Sequence, residues 1–143
     1  IEILSRGPQS QKERRDREIS KILKLAQEEI SLPISNDTFK FFGAAVYWSE
    51  GLKKNGFEIT NSDPHLIVFM VKWIEEVFKV PANKLIAYLN IYPQQNEREI
   101  RGFWSQITGI PIENFKKSFV KPLSHNYKKN NLYYGTIKVI LPK

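Results

Sequence analysis

Apolar positions repeat at two different periods along this chain, and the switches between them outline a mixed fold. Residues 10–31 carry Ile19, Ile22, Leu23, Ala26 and Ile30 at spacings of three and four, which predicts a helix. Its first half has no apolar face, and residues before it are expected to be disordered. Leu32-Pro33 breaks the pattern. Ser35-Asn36-Asp37 is a capping cluster for a second helix, Thr38 to Glu50, with Gly51 expected as its left-handed stop. Gly56 marks a turn, and Phe57 to Asn61 reads as a short strand. Asp63-Pro64 opens a third helix, with aspartate at the N-cap and proline in the first turn, running to Lys79. Leu66, Ile67, Phe69, Met70, Val71, Trp73, Ile74, Val77 and Phe78 make it apolar nearly all round, so it should be buried against a sheet.

Strict alternation follows. From Lys84 to Tyr92, Leu85, Ala87, Leu89 and Ile91 alternate with Ile86, Tyr88, Asn90 and Tyr92, the period of a strand with one buried face. Helical spacing returns over Gln95 to Thr108 (Ile100, Phe103, Trp104, Ile107), and Gly109 and Pro111 stop it. Ile112-Glu113-Asn114 forms a short turn. Phe115 to Val120 and Leu132 to Leu141 read as two strands joined by a basic loop, Lys121 to Asn131. The expected architecture is α+β: a mostly antiparallel sheet with helices packed on one face. A basic helical extension, 1–33, precedes a domain at 34–143.

Composition narrows the chemistry. With no cysteine there is no disulfide framework and no thiolate zinc site, and two histidines make a His-rich metal site a poor fit. No apolar run reaches membrane-spanning length and no signal peptide is visible, which leaves a cytoplasmic setting and no membrane partner as the expectation. The chain opens on Ile1 rather than methionine, as a fragment or processed product does. Net charge is +7, and it is uneven: from Glu113 to Lys143 there are seven lysines against one acid. Lysines interleaved with Phe115, Phe119, Tyr127, Tyr133 and Tyr134 suit a phosphate backbone with flat rings nearby. A lysine-rich solvated hairpin is the plainer alternative. His65, Glu75-Glu76 and Glu97-Glu99 read as solvated surface, and Trp48, Trp73 and Trp104 as core or interface residues.

The stretch Gly43 to Gly51 is electrostatically odd. A helix C-terminus carries partial negative charge, yet Glu50 sits there. Lys53 and Lys54 can offset it, or the carboxylate is kept to hold a cation. Gly43-Ala44-Ala45-Val46-Tyr47-Trp48-Ser49-Glu50-Gly51 resembles a degenerate LAGLIDADG helix of homing endonucleases. Asn61-Ser62-Asp63-Pro64, Phe103-Trp104, Thr108-Gly109-Ile110-Pro111, Lys121-Pro122 and Tyr134-Gly135-Thr136 extend the resemblance over residues 12 to 143.

That resemblance implies a LAGLIDADG-like fold whose sheet forms a saddle over double-stranded DNA. Gly43, Ala44, Ala45, Tyr47 and Trp48 would form the dimer helix. Glu50 would be the catalytic, metal-binding carboxylate, and Gly51 would contribute a backbone carbonyl to the same Mg²⁺. Lys53, Lys54, Lys84, Lys116, Lys117, Lys121, His125, Lys128, Lys129 and Lys138 would contact DNA, and Thr60, Tyr88 and Asn90 would join Lys84 and Lys138 in reading base edges. Lys53, Lys54, Lys121 and Lys138 are equal candidates for the lysine that assists hydrolysis. One motif per chain requires a homodimer. The sequence departs from the pattern in Glu50 for aspartate, in the bulk of Tyr47 and Trp48, in the extra helix before the last strands, and in lacking a terminal helix before Lys143. Three functions stay open: a non-cleaving DNA binder, a Mg²⁺-dependent site-specific endonuclease, and a protein-interaction domain that dimerises through the same helix.

Overall fold

The computed structural model describes residues 3–29, 33–52, 56–122 and 133–142, with side chains from residue 13 onward. The chain divides into two compact units, 1–35 and 36–143. The first contains one helix, α1 (Ile3–Glu29). It starts well before residue 10, where a disordered end was expected. Arg14 pairs with Glu18 one turn on, at 3.3 Å. Both are exposed, so the pair contributes little.

The second unit holds eight elements: α2 (Asn36–Glu50), β1 (Gly51–Leu52), β2 (Phe57–Asn61), α3 (Pro64–Phe78), β3 (Ile86–Ile91), α4 (Glu97–Thr108), β4 (Phe119–Val120) and β5 (Thr136–Leu141). Short 3₁₀ turns at Ala82–Lys84 and Ile112–Asn114 complete it. Local chemistry explains the boundaries. The Asp63 carboxylate caps α3 by accepting from the backbone N–H groups of His65 and Leu66. Asn96 caps α4 in the same way, and Gly109 ends that helix at φ +75°.

The sheet order is β1-β2-β5-β3-β4. The pairings β1–β2, β2–β5 and β5–β3 are antiparallel, and β3–β4 is parallel. The expected hairpin of the last two strands is therefore not formed: β3 lies between them. Ile59, Ala87, Leu89, Ile91, Ile137 and Val139 project from one face into a single core with Ile67, Met70 and Ile74 of α3 and Ile100 and Trp104 of α4. Phe39, Val46 and Tyr47 of α2 pack against that core.

Two further expectations change. Gly51 is not a left-handed helix stop. It already belongs to β1, and its φ is not positive. Glycine is needed there because a Cβ would overlap the ring of Tyr47. The strand expected over Phe115 to Val120 is broken. Ala87 pairs with Phe115, then Asn90 with Phe119 and Ile91 with Val120. Tyr88 and Leu89 on β3 thus face Lys116, Lys117 and Ser118, one residue more on the edge strand. This is a β-bulge in a parallel pair, an uncommon setting for one.

Candidate nucleic-acid interface

The sheet face away from the core presents a polar ladder. In register across β3, β5 and β2 lie Ile86, Ile140 and Glu58, then Tyr88, Lys138 and Thr60; Asn90 and Thr136 form the next pair. The strand period puts these side chains opposite the core-facing set, and all are exposed or half-buried. Thr60, Tyr88, Asn90 and Lys138 therefore share one outer face. Lys84 does not join them, because β3 begins at Ile86 and Lys84 closes the preceding 3₁₀ turn.

The charge of Lys138 is engaged within the ladder. Its ammonium lies 5.1 Å from the centre of the Tyr88 ring and 3.5 Å from the Glu58 carboxylate. The Glu58 side chain is only 12% exposed, so this pair is a fixed part of the face. The middle of the sheet is close to neutral and presents rings, amides and hydroxyls.

The remaining described candidate cations collect along the β3–β4 edge. Asn114 donates from its amide to the carbonyls of Asn83 and Leu85, at 2.8 and 2.9 Å, and so ties the turn bearing Lys84 to the start of the edge segment. Lys116 and Lys117 are exposed in the bulge. Lys121 donates its backbone N–H to Ile91 and holds its ammonium 5.1 Å over the Tyr92 ring. Lys53, Lys54, His125, Lys128 and Lys129 lie outside the described residues.

The bulge is held by Arg101, which the sequence reading did not single out, together with Glu97, which it had assigned to solvent. Arg101 on α4 donates to the carbonyls of Phe115 (2.9 Å) and Lys116 (2.8 Å), to the Glu97 carboxylate (2.6 and 2.8 Å) and to the Ser118 hydroxyl (3.4 Å). Ser118 in turn donates to the same Glu97 oxygen at 2.8 Å. The Ser118 hydroxyl, and then Arg101, hold the Glu97 carboxyl below its usual range. The signal in the sequence was the i,i+4 Glu97–Arg101 pair, which marks a helix-surface ion pair but not what else the guanidinium can reach. Glu75 was misread in the same way: its carboxylate accepts from the backbone N–H of Ala82 at 2.8 Å, on the turn after α3.

The proposed dimer helix splits into two faces. Ala44, Ala45 and Trp48 are exposed and share an outer stripe with Phe41; Trp48 is 78% and Phe41 77% exposed. Gly43 and Tyr47 point the other way. Gly43 is buried against Trp73 of α3. Tyr47 stacks on Phe57 at 4.0 Å and donates to the Leu52 carbonyl at 2.9 Å, joining α2 to the β1–β2 turn. Burial, and then the nearby Glu58 charge, raise the Tyr47 phenol above its ordinary value.

Glu50 is exposed at the end of α2, and its carboxylate accepts from the Asn61 amide at 3.4 Å. No basic residue lies in the last turn of that helix. Among the described residues no three His, Asp or Glu side chains converge, so those of one chain do not make a complete oxygen site for Mg²⁺. No described helix is long and apolar enough to cross a membrane. No protein-family model matches the chain, and no curated protein matches it.

Proposed function

We propose that residues 36–143 form a double-stranded-DNA-binding module of LAGLIDADG-like type that works as a homodimer. The observation that carries this reading is the pairing of a one-sided sheet with a basic edge. The outer ladder offers hydrogen-bonding groups and rings on one face, the kinds of group that read base edges in the major groove. Lys84, Lys116, Lys117 and Lys121 border it where a phosphate backbone would pass. The element order supports the same reading: α2-β1-β2-α3-β3-β5 runs αββαββ, with α4 and β4 inserted before the last strand. The outer stripe of α2 is where a second copy would pack.

The test is a random-duplex selection at near-physiological salt with Ca²⁺ present, which supports binding while suppressing cleavage. The reading predicts an enriched site with two-fold character. Retention without enrichment, lost as salt rises, would overturn sequence-specific reading and favour a protein-interaction domain.

One observation favours a cleaving version. Glu50 adds its charge to the negative end of α2 with no base in the last turn. Two paired chains would bring two such carboxylates together, the hard oxygen donors that Mg²⁺ prefers. Incubating the selected site with Mg²⁺ separates the versions: an endonuclease cuts it, and Glu50→Ala abolishes cutting without abolishing binding.

A further inference from the structure

All three side-chain nitrogens of Arg101 donate inside the protein. Its side chain is 20% exposed, and its fork is shared among Glu97, the two backbone carbonyls and Ser118. Most of the guanidinium is thus committed within the protein. What it fixes is the backbone of the residues carrying Lys116 and Lys117. Without the bulge, successive residues of an edge strand would alternate between the two sheet faces. The extra residue interrupts that alternation and re-aims the side chains. The bulge is also anchored at both ends: Lys116 donates its N–H to Ala87, and Lys121 donates to Ile91, each at 2.9 Å.

We propose that Arg101, oriented by Glu97 and Ser118, is a positioning residue that holds the 116–118 bulge so that Lys116 and Lys117 both contact DNA backbone phosphates. This rests on the DNA-binding reading and adds how its phosphate-contacting edge is built. Three features select phosphates as the occupant. Both lysines are exposed. They lie on the edge shared with Lys84 and Lys121. The cation of the sheet centre, Lys138, is already engaged by Glu58 and Tyr88. A bulge also keeps an edge strand from pairing with other chains, and that role alone would make no demand on lysine.

The experiment measures affinity of the full chain for a mixed-sequence duplex across a salt series. Each phosphate contact contributes about 0.9 to the slope of log affinity against log salt. Lys116→Gln with Lys117→Gln is expected to reduce the slope by about 1.8 per chain. Arg101→Lys keeps the charge but cannot span the same acceptors, and is expected to lose part of that slope while remaining folded. Ser118→Ala, a milder change in case Arg101→Lys does not fold, should shift the slope in the same direction. A lowered melting temperature with an unchanged slope in both clamp variants would overturn the proposal and leave Arg101 a purely structural residue. A wild-type chain with no salt-dependent duplex affinity would instead remove the DNA-binding reading itself, and the clamp's role with it.

Discussion

The indole of Trp73 occupies the space a side chain at residue 43 would need. A Cβ built on Gly43 would overlap the pyrrole edge of the ring, while the indole N–H donates to the Lys40 carbonyl at 2.9 Å. α2 is thus held to α3 by a ring that both fills the gap and hydrogen-bonds across it. Phe57 and Phe78 pack around the same indole, so it has little room to retreat. Gly43→Ala is expected to destabilise the domain by about 1–3 kcal/mol through overpacking. Ala45→Gly on the exposed side should cost at most about 1 kcal/mol, the helix-propensity difference. Urea unfolding of both variants checks the order; equal costs would show that the two faces are not distinguished.

The outer stripe of α2 gives the second prediction. Phe41 and Trp48 flank Ala44 and Ala45, large residues beside small ones at helical spacing. If this stripe receives a second copy, Ala45→Glu places like charges face to face in an apolar interface. Sedimentation should show the wild type shifting toward dimer with concentration and the variant remaining monomeric. The unfolding free energy of the dilute protein should stay within about 0.5 kcal/mol of wild type, because the site is exposed in one chain. Association unaffected by the charge would place the interface elsewhere.

How far the sequence foretold these faces varies with the kind of signal. The alternation of Leu85, Ala87, Leu89 and Ile91 identified the buried side of β3, because strand period and one-sided burial are the same fact. Asp63-Pro64 located the start of α3, since the capping geometry is local. Gly43 and Gly51 were visible as glycines, but not what they touch. One meets Trp73 across a tertiary contact, and the other meets Tyr47 one turn back. The bulge was illegible for the same reason. Phe115 to Val120 has strand composition throughout, and its break depends on a register with β3 and an arginine on α4. The lysine candidates were legible as a cluster, though only the fold separates engaged Lys138 from the edge set.

Asn114 supplies a third prediction. One amide group bridges the carbonyls of Asn83 and Leu85. Asn114→Ala removes both bonds and is expected to cost about 1–3 kcal/mol, since an acceptor left partly buried loses its partner. Hydrogen exchange should quicken at Lys84 and Leu85, whose N–H groups close the adjoining 3₁₀ turn, more than at Ile137 or Val139 in the sheet centre. Uniform quickening would mean that the amide supports the whole fold and not this turn.

The fourth prediction follows from Glu97. The Ser118 hydroxyl and Arg101 lower its pKa in the folded chain below the ordinary 4.5. A carboxyl depressed by folding adds stability that is fully present above its unfolded pKa and is lost as pH falls through its folded pKa. Glu97→Gln removes that titration. Wild type should therefore be the more stable protein at neutral pH, with the gap constant down to the ordinary carboxylate range and closing below it. The side chain is 43% exposed, so solvent screening keeps the gap small. Urea midpoints of both proteins between about pH 7 and pH 3 test the sign. Two curves running parallel through the acid limb would mean that the clamp gains nothing from the carboxylate charge, and that Arg101 holds the bulge through its backbone bonds alone.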